Sequence, residues 1–265
     1  KRFKQKDINT LYMKKFDVNN YHFNPNSKIG IYLIHGFSST TYELKLLADL
    51  LNQNGYHVVL NNLPGHGTNV DDCNKYSYND WLDYSKIELA KLFSSSDQVF
   101  IIGCSMGAVI SLYLASIFPV AGIIVGGTVL KFKLTFSTNY LNTIICHFLK
   151  TREKKLAFPK EIRDTINFYG YQAYPLIALN QFRKMNNLVL KRLKKVKSPL
   201  LIIHSENDQV SIRENVNIVN SMVSSTNKEL LEVEHAHHNI FDKNPDTPII
   251  NKKIIHFINQ YKELS

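Results

Sequence analysis

The 265 residues, 44% of them apolar, suffice for one large α/β domain or two small ones, with ample material for a core. A net charge of +10 admits nucleic acid, an anionic membrane surface or an acidic substrate as partners. The lysines are scattered and no nucleic-acid-binding signature accompanies them, so biased composition is the simpler account and no nucleic-acid partner is expected. The three cysteines, Cys73, Cys104 and Cys146, have neither metal-ligand spacing nor an even framework. That excludes a disulfide scaffold and suits a reducing, cytoplasmic compartment; no signal peptide opens these residues.

Residues 1–20 are charged and weakly patterned, an edge strand or a frayed start, and Asn24 to Ser27 reads as a turn. Gly30 to His35 predicts a buried parallel strand running into Gly36-Phe37. Tyr42 to Gln53 predicts a helix, with Leu44, Leu46, Leu47, Leu50 and Leu51 at helical spacing and Asn54-Gly55 as its stop. His57 to Asn61 is the next strand, and Leu63-Pro-Gly-His-Gly67 a tight loop. A helix from Tyr78 to Leu92 carries Trp81, Ile87 and Leu89. Val99 to Cys104 is a central strand, Ser105 to Ile117 a helix, and Ala121 to Thr128 another strand. Ala108 to Leu130 holds no charge, but Pro119 and Gly122 divide it into a buried helix and a buried strand rather than a membrane span.

Residues 130–197 break this rhythm, with aromatic residues such as Phe132, Phe136, Tyr140, Phe158, Phe168, Tyr171 and Tyr174 among lysines. They read as a small, mainly helical cap over the sheet's C-terminal edge, with Arg192 to Lys197 a solvated helix face. Strands at Pro199 to His204 and Glu229 to Val233 and an amphipathic helix at Ile249 to Leu264 complete the chain. Strands alternating with helices predict an α/β fold, a mostly parallel sheet covered on both faces. The core is then 1–129 and 198–265, with 130–197 as the cap.

Val99 to Ala108 organises the chain: an apolar strand, then Gly103-Cys-Ser-Met-Gly107, then an apolar helix. A serine on a sharp strand-to-helix turn needs glycines where strand and helix pass close. The turn aims the Met106 amide, at a helix N-terminus, toward a developing oxyanion. Ser105 is therefore the candidate nucleophile, with Gly103 and Gly107 as structural glycines.

A serine nucleophile needs a base, and the base needs an orienting acid. Asp208 closes the strand begun at Pro199 and is the candidate acid, with Glu206 as alternative. His235, His237 and His238 follow the last strand. His237 begins a His-x-x-x-x-Asp pattern ending at Asp242 and is preferred as base, with His238 second. His204 and His57 occupy strand positions and are expected to be packed. His35 shapes the first loop and His66 is a turn residue. The Phe37 amide, with Gly36 before it, is the expected second oxyanion donor beside Met106. Phe132 and Phe136 are candidates for substrate contact.

His35-Gly-Phe37, Leu63-Pro-Gly-His-Gly67, Asp80-Trp81, Gly103-Cys-Ser-Met-Gly107, Asp208 and His237 together resemble the carboxylesterase and monoacylglycerol-lipase branch of the α/β-hydrolases over most of residues 28–262. Ala108 departs from a common third glycine, and His-Ala-His from the frequent Ser-Gly-His. The resemblance implies serine hydrolysis of carboxylic esters beneath a small cap, with no cofactor and no metal. It implies Ser105, Asp208 and His237 as triad and Phe37 and Met106 as oxyanion donors. The expected substrate is a small-molecule ester of short to medium acyl chain, or a monoacyl lipid cleaved by a monoacylglycerol lipase or lysophospholipase, for which a basic surface would make weak contact with anionic membranes. A thioesterase or acyltransferase would use the same triad, and a ligand-binding receptor on this fold would not need it. A monomer and a homodimer are equally compatible with the sequence.

Overall fold

The computed structural model describes residues 16–154 and 170–262; residues 1–15, 155–169 and 263–265, with Phe158, Phe168 and Tyr169 among them, lie outside the described part. Seven strands form one sheet: β1 (Tyr21–Phe23), β2 (Ile29–Ile34), β3 (His57–Leu60), β4 (Gln98–Cys104), β5 (Gly122–Gly126), β8 (Leu200–Ser205) and β9 (Lys228–Val233), in the order β1-β3-β2-β4-β5-β8-β9. Only β1 is antiparallel, pairing Tyr21 with Leu60 at the edge; every other pair is parallel. The inner strands β2, β3, β4, β5 and β8 are short, rich in Ile, Val and Leu and buried on both faces, as a parallel sheet between helices requires, while β1 and β9 at the edges are partly exposed.

Side chains alternate along each strand, and each face has its own core. On one face Ile31, Leu33, Phe100 and Ile102 meet Leu44, Leu47 and Leu51 of α1 (Tyr42–Gln53) and Ile254, Phe257 and Ile258 of α8 (Thr247–Tyr261). On the other, Tyr32, Ile34, Val99 and Ile101 meet Trp81 and Leu89 of α3 (Tyr78–Ser95), Val109 of α4 (Met106–Ala115), Phe182 of α6 (Leu176–Leu190) and Val216 of α7 (Arg213–Met222). Each such fully buried side chain contributes roughly 1.5–3 kcal/mol over exposure. After the one-turn α2 (Val70–Cys73), helix α3 begins with a capping box, Ser77 and Asp80 each satisfying the other's backbone amide. The uncharged stretch from Ala108 is helix α4 followed by β5, and among the described residues no helix is long and apolar enough to cross a membrane.

Between β5 and β8 the described residues are mainly helical, as the sequence predicts, with α6 as the longest element, but they also hold a small sheet that the sequence does not predict. After a wide helical turn at Ser137–Leu141 and the one-turn α5 (Asn142–Ile145), β6 (Thr151–Glu153) pairs antiparallel with β7 (Ala173–Pro175), Arg152 opposite Tyr174. A two-stranded sheet of three-residue strands has no apolar run long enough to show a period of two. The predicted solvated helix face near Lys194 is a single 3₁₀ turn, Leu193–Lys195, pinned by buried Leu193 and Val196.

Candidate active site

Ser105 lies between β4 and α4 with φ +55° and ψ −112°, a conformation side-chain-bearing residues rarely adopt. Its amide donates to the Gly126 carbonyl at 2.9 Å, which holds the turn against β5. A Cβ at Gly103 would collide with the Gly107 carbonyl, and one at Gly107 with the Ile34 carbonyl. The two glycines are therefore what lets α4 descend across the ends of β2 and β4 and leave Ser105 at the apex.

The Ser105 hydroxyl is 2.9 Å from His238 Nε2, and His238 Nδ1 is 2.9 and 3.0 Å from the two carboxylate oxygens of Asp208. The amides of Val210 and Ser211 donate to Asp208 Oδ1 at 2.7 and 2.8 Å. Burial alone would push the Asp208 carboxyl up; the hydrogen bond and charge of His238 and the two amides outweigh it and hold the group below its ordinary range. An ionised Asp208 accepts, so Nδ1 carries the proton and Nε2 is left to accept from Ser105.

The histidine in this chain is His238, not the expected His237, which is exposed. The loop after β9 explains the register. Asp246 accepts the amides of His235 and Ala236 at 2.7 and 2.8 Å, and buried Ala236 accepts the Ser205 hydroxyl. With Ala236 anchored inward, His237 turns outward and His238 returns. The acid gripping this loop is Asp246 rather than the Asp242 of the sequence pattern. Glu206, the alternative acid, is exposed and lies off the Asp208–His238–Ser105 chain.

The loop after β2 is built by histidines. The Leu63 amide donates to His35 Nε2 at 3.0 Å, and His35 Nδ1 donates to the Gly36 carbonyl at 2.8 Å. The Ser38 amide donates to His66 Nε2 at 3.1 Å, and His66 Nδ1 donates to the Pro64 carbonyl at 3.2 Å. His66 is thus a strut of this loop and not merely a turn residue. Burial forces both rings toward neutrality, His35 down to about 4 and His66 well below its ordinary value. Trp81 Nε1 donates to the same Pro64 carbonyl at 3.0 Å, which gives Asp80-Trp81 its place in the pattern. Ser38 itself is strained, with φ +55°.

In this loop the Gly36 amide goes to Glu43, the Ser38 amide to His66 and the Ser39 amide to the Gly36 carbonyl. Among the described residues no acceptor takes the Phe37 amide. Met106 is the first residue of α4, so its amide is one a helix leaves without an intrahelical acceptor. Buried Glu43 faces Gly36 and Ser105; burial raises its pKa against the pull of the Gly36 amide.

These groups open into a cavity of about 540 Å³. Val129, Phe132, Leu134, Leu179, Phe182 and Val210 give it an apolar lining, with Ser38, Glu43, Lys133, Arg152, Lys154 and Tyr174 as its polar part. Phe132 packs edge-on against Phe182, ring centroids 5.2 Å apart. Phe136 lies elsewhere: it is 67% exposed and packs on Tyr140, because the chain turns between Leu134 and Thr138 and points only those two at the cavity. Sequence reasoning missed Lys154 and Tyr171, which reach the loop from the 130–197 segment. Tyr171 donates its amide to the Ser38 carbonyl at 2.9 Å and its hydroxyl to the Gly65 carbonyl at 2.6 Å.

A sheet of this order with a serine at a strand-to-helix elbow defines the α/β-hydrolase class. The chain belongs to the Hydrolase_4 family, described as serine aminopeptidase S33, whose model matches residues 25–245. It is 26% identical over 237 residues to a thermostable monoacylglycerol lipase of Bacillus sp. (strain H-257), covering 89% of this chain and 92% of that protein. It is 23% identical over 247 residues to a carboxylesterase of Bacillus subtilis (strain 168), covering 87% and 92%. A solved structure of the metagenome-derived lipolytic pair LipS and LipT shares the fold at a TM-score of 0.82, with 24% identity over 92% of this chain and 98% of that one.

Proposed function

We propose that this protein hydrolyses carboxylic esters of short to medium acyl chain through an acyl-enzyme. The observation that carries the reading is the Asp208–His238–Ser105 hydrogen-bond chain. Ser105 Oγ attacks the ester carbonyl as His238 Nε2 takes its proton. The oxyanion receives the Phe37 and Met106 amides, each contributing on the order of 3 kcal/mol in the transition state. His238 passes its proton to the leaving alcohol as the C–O bond breaks, while Asp208 holds the tautomer. Water then attacks the acyl-enzyme, giving one proton to His238 and thence to Ser105, and the carboxylic acid leaves.

Residues 130–197 serve as the cap that selects substrate by burial. The cavity volume falls within the range of pockets for one small molecule. An aminopeptidase, which the family description names, would bind a substrate ammonium; Lys133, Arg152 and Lys154 in the lining oppose that. A lipid ester is the second reading. Leu134, which lines the cavity, and Phe136, Tyr140, Ile144 and Phe148 after it in the chain are all more than 60% exposed, and the Bacillus relative is named a monoacylglycerol lipase. The test is kcat/KM for p-nitrophenyl acetate through palmitate, with monolaurin and triolein alongside. A rise of about 0.8 kcal/mol per methylene, then a plateau or fall, is expected. A flat profile removes acyl burial, and fast triolein turnover removes the small-ester reading.

A further inference from the structure

Glu43 lines the same cavity as Ser105 and His238, is 2% exposed, and takes no part in the proton transfers described above. It is the second residue of α1, where the unpaired amides of a helix N-terminus favour negative charge. Its Oε2 accepts the Gly36 amide at 2.5 Å. A Cβ built on Gly36 would stand 3.1 Å from Glu43 Oε2 and 3.1 Å from Ser105 Cβ, so carboxyl and nucleophile face each other with a glycine between them. The Phe37 amide shares its peptide plane with the Gly36 carbonyl, which accepts His35 Nδ1 and the Ser39 amide. Glu43 holds the peptide on the other side of Gly36. A glycine left free on that side could turn, and the Phe37 N–H would turn with it.

The polar neighbours of the carboxyl favour its ionised form. Burial raises the Glu43 pKa; the Gly36 amide, the positive charge His238 can carry, the Ser39 hydroxyl and the Cys104 thiol each draw it back. Burial, then the charges of Glu43 and Asp208, push the Cys104 thiol well up, so it stays protonated. Among the described residues, the titratable groups facing Glu43 are thus His238 after β9, Cys104 on β4 and Lys154 after β6, with Asp208 on Nδ1 of His238. The His238 ring becomes a cation as Ser105 attacks. Asp208 stabilises that cation through hydrogen bonds, and a second buried carboxylate acts on it through space, where solvent screens little.

We propose that Glu43 is a positioning residue of the hydrolase: ionised, it fixes the Phe37 amide through Gly36 and stabilises the His238 imidazolium. This rests on the ester-hydrolase reading and adds a second carboxylate to its machinery.

The test records kcat and KM for p-nitrophenyl butyrate against pH in wild type, Glu43→Gln and Glu43→Asp, with the affinity of each for an alkyl trifluoromethyl ketone, whose hemiketal oxyanion would take the Phe37 amide. Glutamine keeps an acceptor for Gly36 and loses the charge. Aspartate keeps the charge and withdraws the acceptor by one methylene. In Glu43→Gln the acid limb of kcat/KM should move to lower pH by about half a unit or more, and plateau kcat should fall roughly threefold to tenfold with KM little changed. In Glu43→Asp the acid limb should stay in place, while kcat and ketone affinity both fall about tenfold or more. An acid limb that does not move in Glu43→Gln overturns the electrostatic role; a merely structural Glu43 would give that result. Wild-type kcat and ketone affinity in Glu43→Asp overturn the hold on Phe37. Wild-type protein that cleaves no p-nitrophenyl ester overturns the ester-hydrolase reading instead.

Discussion

The two walls of the cavity are built by different means. The core wall, Gly36 to Ser39 with Ser105 and His238, is held by backbone amides donated to buried side chains: Gly36 to Glu43, Ser38 to His66, Val210 and Ser211 to Asp208. The wall from residues 129–138, 152–154 and 170–182 presents side chains instead, Phe132, Leu134, Leu179 and Phe182 among them. Geometry that must be held to a few tenths of an ångström is set by sheet and backbone, where few alternatives exist. Selection by burial and charge is set by side chains that can vary without disturbing the sheet.

The comparison breaks first at the histidine. His238→Ala should lower kcat/KM for p-nitrophenyl butyrate by about 10⁴-fold, on the scale of triad removals, with the circular-dichroism spectrum unchanged. His237→Ala should stay within about twofold. If His237→Ala is the crippled variant, the register of the loop after β9 is wrong by one residue.

The core wall should also be the acid-labile one. His35 goes from an ordinary value of 6.5 to about 4 on burial, so between those pH values the unfolded chain binds a proton that the folded chain does not. Stability therefore falls as pH drops from about 6.5 toward 4 and levels off below, a loss of about 3 kcal/mol from His35, with His66 adding in the same direction. Urea midpoints across that range should show the decline, and His35→Asn should flatten part of it. Equal midpoints at pH 7 and pH 4.5 in the wild type would remove the role assigned to the buried rings.

On the opposite wall the effects should be smaller and graded. Phe132→Ala should cost roughly tenfold in kcat/KM for medium-chain esters, on the order of the few methylenes of contact its ring provides. Phe136→Ala, on the exposed side of the same turn, should change it less than about twofold. Equal losses at the two positions would mean that the outer face also takes substrate.

The parts legible in the sequence are those whose chemistry is local. Gly103-Cys-Ser-Met-Gly107 allows one close passage of helix over strand, so Ser105 could be named from five residues and their flanks. Unbroken apolar runs such as Gly30 to Ile34 and Leu200 to Ile203 can be satisfied only inside a covered parallel sheet. That also delivers Asp208 to the edge where Ser105 stands. His66 was visible as a loop residue, but its tie to Ser38 was not, because the two are 28 positions apart and share no period.

Only the tertiary structure decided between adjacent histidines. One residue of register turns a side chain from solvent to Ser105, and that register is set by Asp246 and Ser205, which grip Ala236 from outside the motif. The same holds for Lys154: a lysine in a stretch full of lysines carries no local mark. It becomes singular when β6 pairs with β7 and sets its ammonium on Ser38, 116 residues away in the chain. A motif can be read wherever neighbours in sequence impose the geometry. Where distant segments impose it, the sequence holds the residues and the fold assigns their use.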